Sequence, residues 1–291
     1  MKKLSVGPAI RFAFGFAFGQ LGTIIGLIWA PMVVIAVVTF LPHVLGDNQA
    51  LQGQNPAAAA PVILRGIVFW LANALLSACI YAAVMRQALG LRKGPAIFHF
   101  SIGMAELRMT GAVMLFKLIA FVLMIGLVLA LLAAGMLAGT NEIAAAAATA
   151  AIGIGGACAL LYALTQLGFL LVPVTVAENK ISLERGWTLA KGNFWRITSV
   201  LFTVTLPPLL ILMGAVGWLT GRELLALTPV LDKLTPEVLS DRIQTILDAH
   251  IATIIGIQFI MAPFTLGLFL GAAAYAYKEL AAGAPTPARA P

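Results

Sequence analysis

Six stretches of this chain are long and predominantly apolar: 21–42, 62–83, 112–137, 147–176, 197–219 and 251–277. Each holds about 20 residues or more, which at roughly 1.5 Å per residue crosses the ~30 Å hydrocarbon core of a bilayer. A helix that is hydrophobic all round is surrounded by lipid or buried in a core. The fold class expected is therefore all-α, a polytopic transmembrane helix bundle of about six spans. It forms a single membrane domain over 1–282, with a disordered Pro- and Ala-rich tail at 283–291. Met1, Lys2 and Lys3 resemble the basic start of a signal peptide. The apolar run at 10–41 is far longer than the roughly 7–15 residues of such a peptide's core, so the segment is expected to stay attached.

The pattern changes between the spans. Segments 4–20, 91–110 and 181–198 mix basic residues with aromatics, among them Phe12, Phe14, Phe16 and Phe18, then Phe98 and Phe100, then Phe194 and Trp195. Helices of this composition lie in the headgroup layer with the apolar side down. Thr235, Pro236 and Glu237 read as a cap, a first-turn proline and a first-turn acid, with Leu239, Ile243, Ile246 and Leu247 marking one side of a short amphipathic helix.

Short words recur along the chain. Gly7-Pro8-Ala9-Ile10 returns as Gly94-Pro95-Ala96-Ile97, and Leu107-Arg108-Met109-Thr110 is echoed by Trp195-Arg196-Ile197-Thr198. Pro173 and Pro263 sit alike in the fourth and sixth spans, whereas the second has no such proline. These matches suggest three copies, at 4–90, 91–180 and 181–280, of a unit made of an interfacial helix and two spans. Two spans return a unit to its starting side, so the copies would be parallel about an axis along the membrane normal. Convergent membrane patterning is the alternative.

Composition sharpens the solvent argument. Of the 291 residues, 61% are hydrophobic and only 10% charged, against about 45–50% and 25% in a soluble domain. The net charge of +7 matters less than its distribution. Of the 18 Lys and Arg residues, 14 fall on the side of the amino terminus and 4 (Arg65, Arg222, Lys233 and Arg242) on the other, where most acids lie. Positive residues stay inside, so both termini are expected in the cytoplasm. Basic residues scattered between spans point to anionic lipid headgroups on that face, at about 1 kcal/mol each, and not to nucleic acid.

Candidate chemistry is sparse. No HExxH, Gly-x-Ser-x-Gly, Walker loop or CxxC pair is present, no cofactor is implied, and no carboxylate sits at mid-membrane depth. Cys79 and Cys158 fall inside apolar runs and read as small buried packing residues. His43 and Asp47 after the first span, with Asp248 and His250 before the sixth, could hold Zn²⁺ if those ends meet; otherwise they are ordinary boundary residues. Asn73, Gln166 and Gln258 lie one in each even-numbered span. They read either as a ring of amides lining a path, or as interhelical hydrogen bonds of roughly 0.6–2 kcal/mol. Lys117 and Arg65 enter apolar segments and are expected to snorkel toward an end. Gly22/Gly26, Gly135/Gly139 and Gly267/Gly271 have the spacing that lets helices approach closely.

The best-motivated patch is Arg185, Lys191, Phe194, Trp195 and Arg196, whose cations suit lipid phosphates or a protein partner while the aromatics anchor at the interface. Pro173 and Glu178 close the fourth span, and Leu183-Glu184-Arg185-Gly186-Trp187-Thr188-Leu189-Ala190-Lys191-Gly192-Asn193-Phe194-Trp195 follows. This stretch resembles a bacterial family of six-span proteins found alone or as the membrane module fused to some glycerophosphodiester phosphodiesterases. Its pattern is Arg-Ser, Leu, Lys-Gly, Phe-Trp, with Gly186 here where Ser is common. The resemblance implies a multi-pass protein of the bacterial plasma membrane. The catalytic barrel of the fused members has no counterpart in this sequence, so no reaction is implied. Three functions are carried forward: a non-enzymatic scaffold or lipid-interacting accessory module; a small-solute or lipid transporter; and an outer-face metal-dependent enzyme.

Overall fold

A computed structural model describes residues 2–45, 56–92, 103–137, 142–228 and 235–283. The chain is helical almost throughout: α1 (Val6–Gly19), α2 (Leu21–Leu45), α3 (Pro56–Leu89), α4 (Met104–Leu137), α5 (Glu142–Gly168), α6 (Leu171–Glu178), α7 (Leu183–Ala190), α8 (Phe194–Leu227) and α9 (Pro236–Ala281). Among the described residues six apolar spans result, formed by α2, α3, α4, α5 with α6, α8 and α9. Helices meet the demand of the bilayer because each backbone donor and acceptor is satisfied within the segment. The chain is a multi-pass membrane protein.

All six expected stretches fall on these helices, though the helices run longer. α9 is a single rod of 46 residues, about 69 Å at 1.5 Å per residue, and it absorbs the separate amphipathic helix expected near Leu239. Its start is as read: the Thr235 hydroxyl accepts the Val238 N–H at 3.5 Å, with Pro236 in the first turn. The fourth span is broken between α5 and α6 at Phe169 and Leu170, just ahead of Pro173, whose missing N–H removes one bond from the ladder.

The two helices of each successive pair, α2 with α3, α4 with α5, and α8 with α9, pack against each other. α1 does not stand apart at the surface but runs antiparallel along the end of α9. Ala9, Ala13 and Ala17, spaced four apart on one face, are fully buried. They let the backbones meet at Gly267 and Gly271. A Cβ on Gly267 would lie 3.1 Å from the Ala17 Cα, and one on Gly271 would lie 3.2 Å from the Ala13 Cα. Of the three glycine pairs, this one makes the close crossing. Gly22 and Gly135 face open space, and Gly139 lies outside the described residues. α7 packs on α5 and α6.

Packing is uneven along the spans. The buried core gathers at the end that holds both chain ends, where α3, α6 and α9 meet and Leu4, Leu27, Met85, Leu170, Ile197 and Leu270 are sealed. Toward the far end the helices present apolar side chains outward, as at Val37, Leu129, Ile154, Leu210 and Leu225. There α2 does not pack extensively on α8, nor α4 on α8 or α9. Cys79 is buried as expected, but Cys158 is exposed on this outward surface. Its place in an apolar run reflects contact with lipid and not a packed interior.

Candidate functional site

The polar groups of the packed end form a hub that ties the beginning of the chain to its last two spans. Asn193 precedes α8 and is almost wholly buried, and its side chain embraces the backbone of the amino-terminal segment. Oδ1 accepts the Leu4 N–H at 2.8 Å, and Nδ2 donates to the Lys2 carbonyl at 3.2 Å. One turn on, Arg196 donates to the Leu4 carbonyl at 2.8 Å. The Ser5 N–H and hydroxyl both donate to the Glu279 carboxylate, at 3.0 and 2.7 Å. Backbone groups outside a helix must find such partners when buried.

The other contacts stitch the remaining helix ends. Arg185 Nε donates to Glu178 at 3.1 Å, and the Tyr277 hydroxyl reaches the same carboxylate oxygen at 3.4 Å, so α6, α7 and α9 share one anion. Asn179 ends α6 in the left-handed conformation at φ +54, one that Asn tolerates. Arg108 donates to its carbonyl at 3.0 Å and to its Oδ1 at 3.3 Å. Arg86 on α3 pairs with the buried Glu106 on α4 at 2.7 Å. Lys278 donates to the Ala88 carbonyl at 3.1 Å. Burial, and then the like charge of Arg86, lower the pKa of Arg92 just beyond α3.

The patch expected at 185–196 is therefore divided in role. Arg185 and Arg196 hold other parts of the chain, and Arg196 is exposed together with Lys191 and Trp195. Phe194 joins Tyr162 at 4.8 Å and Trp195 at 5.0 Å between ring centroids, and Trp187 meets Tyr162 edge-on. These rings link α5, α7 and α8. Asn193, Glu106, Tyr277 and Glu279 did not stand out in the sequence as site residues. The signal for Asn193 was its place between Gly192 and Phe194 in the run 183–195, but its partner, 189 positions away, leaves no local trace.

The three span amides are placed differently from one another. Asn73 Oδ1 accepts from the Ser77 hydroxyl at 3.4 Å, one turn away on the same helix. Gln166 is fully buried, and neither amide atom has a hydrogen-bond partner among the described residues. Gln258 lines a cavity of about 280 Å³ bounded by α2, α3, α8 and α9, with Ser77 on its wall; Gln166 is not among the residues lining it.

Lys117 meets an aromatic ring. It lies thirteen residues into α4, about 20 Å along the helix, with its ammonium 5.8 Å from the centroid of the Trp70 ring. The electron-rich face offers a cation a partner that hydrocarbon does not. Arg65 is half-buried. At the far end His250 Nε2 lies 3.1 Å from Glu223 Oε1, joining α9 to α8, and Asp248 accepts from Gln244 at 2.9 Å. The His43 side chain and Asp47 lie outside the described residues, so their approach to His250 is not described. Among the described residues, no three His, Cys, Asp or Glu side chains gather as metal ligands.

Comparison with known proteins finds no matching family model, no similar curated protein and no similar solved structure.

Proposed function

We propose that this chain is a non-enzymatic, lipid-interacting membrane module of the bacterial plasma membrane, with its polar hub at the cytoplasmic face. One observation carries the reading: the six spans are tied together at one end, while toward the other their apolar flanks face outward. Within a bilayer those flanks meet acyl chains. Orientation rests on the Lys and Arg distribution, and the family resemblance enters on the residues of 173–195 alone. Lys191 and Trp195, exposed beside the hub, are suited to meet anionic headgroups. The three-copy organisation belongs to the same proposal, supported by α1 packing on α9 and α7 packing on α5 and α6, in each case against the last span of another copy.

Native mass spectrometry of the purified protein released gently from nanodiscs tests this reading. Several retained lipids per chain are expected, with anionic lipids reduced in a Lys191→Ala, Trp195→Ala variant. A chain that emerges free of lipid would refute it. A second reading, lipid transport, is favoured by the lateral cavity between α2 and α8. It predicts lipid exchange between leaflets of reconstituted vesicles.

A further inference from the structure

The cavity between α2, α3, α8 and α9 has a composition that ordinary lipid contact does not require. Met32, Ile80, Leu212 and Met261 make its walls apolar, yet Gln258, Tyr81 and Ser77 open onto it. Ser77 is engaged with Asn73. The Gln258 amide and the Tyr81 hydroxyl have no hydrogen-bond partner among the described residues. On α3, Trp70, Asn73, Ser77 and Tyr81 follow helical spacing, so the polar groups form one stripe and not a scatter.

Gln258 is exposed and lies inside the apolar run 251–277 of the sixth span. An amide or hydroxyl facing hydrocarbon without a partner costs several kcal/mol, so the groups converging here call for an oxygen-bearing occupant. No charged side chain lines the cavity, which disfavours a phosphate or carboxylate. Its volume is at the small end of ligand pockets, roughly 300–1,000 Å³. It therefore suits the functional end of a longer molecule whose tail passes between α2 and α8 into the bilayer.

We propose that this cleft is a binding site for an uncharged long-chain lipid carrying a carbonyl or hydroxyl, with Gln258 and Tyr81 as the groups available to hydrogen-bond its polar end. This rests on the lipid-interacting reading and narrows it from lipids in general to a neutral class at one site. Tyr81 donates to the ligand oxygen; the Gln258 amide donates to a carbonyl or accepts from a hydroxyl.

The test uses the full chain in phosphatidylcholine nanodiscs containing either a diazirine-bearing diacylglycerol or a diazirine-bearing phosphatidylglycerol. After photolysis, labelled peptides are mapped. The diacylglycerol probe is expected to label peptides holding Met32, Leu212 or Met261 in preference to the phosphatidylglycerol probe. Gln258→Leu and Tyr81→Phe are each expected to lower that labelling about threefold, the equivalent of one membrane hydrogen bond at ~0.6 kcal/mol. Labelling near Leu129 and Ile154 should not change. Competition by a long-chain alcohol identifies a hydroxyl ligand, and competition by a long-chain ketone a carbonyl. Equal labelling of the cleft by both probes in the wild-type chain would overturn the proposal even if the variants fold poorly. So would cleft labelling indifferent to folded variants. If Leu129 and Ile154 are labelled but the cleft is not, only this inference fails; if no span is labelled, the lipid-interacting reading fails with it.

Discussion

Asn193 holds Leu4 across 189 positions of sequence, accepting its N–H at 2.8 Å, and the same carboxamide donates to the Lys2 carbonyl. A single buried side chain thus closes the beginning of the chain onto the start of α8. Arg196 and Glu279 complete the clasp from α8 and α9. The hub is a structural device first, and whatever acts at this face acts from a fixed frame.

Replacing Asn193 with Ala should cost about 1–3 kcal/mol, because the Leu4 N–H is left buried without an acceptor. Thermal unfolding in detergent reads this as a lowered Tm. Asn193→Asp keeps the acceptor but sets an oxygen against the Lys2 carbonyl, so it should fall between wild type and Ala.

The crossing of α1 on α9 depends on the absence of side chains at Gly267 and Gly271. A Cβ at Gly267 would stand 2.9 Å from Ile24 Cδ1 and 3.0 Å from Ala17 Cβ. Gly267→Val should therefore displace α1 at a cost of about 1–3 kcal/mol, seen as faster proteolysis within residues 6–19. Gly22→Ala, with nothing within 4 Å of the new carbon, should leave proteolysis unchanged.

Arg86 and Glu106 form an ion pair in which the carboxylate is nearly sealed. Removing one partner of such a pair typically costs about 3–5 kcal/mol. Glu106→Ala should thus lower stability in thermal unfolding more than the Arg86→Met, Glu106→Leu double variant, which leaves no orphaned charge.

Lys117 is coupled to Trp70 through the ring face. A double-mutant cycle of Lys117→Met and Trp70→Leu should give a coupling of about 0.5–2 kcal/mol. A coupling near zero would mean that the ammonium takes another partner in the bilayer.

The spans were legible in the sequence because lipid imposes one rule along their whole length: apolar side chains at every angle. Where the rule gives way to specific partners, reading from residue types was less complete. Arg196 stood out as a cation beside Trp195, but residue type gave no sign of its hydrogen bond to Leu4. Segment 4–20 looked like an interfacial helix, and its alanines at every fourth position were the overlooked sign of a close helix crossing. Cys158 looked buried because an apolar run reads the same whether protein or lipid surrounds it. The amides Asn73, Gln166 and Gln258 share a spacing that fixes their depth but not their direction, so spacing could not say which of them opens onto the cavity.

The central claim is that the far halves of the spans meet lipid while the hub end is closed. Spin labels placed singly at Leu129, Ile154 and Leu210, with a reference at the buried Ala83, test it through collision with molecular oxygen in nanodiscs. The three far positions should collide freely, as acyl-chain sites do, and Ala83 should be shielded. Far positions as shielded as Ala83 would mean that protein, not lipid, covers those flanks, and the account would fall.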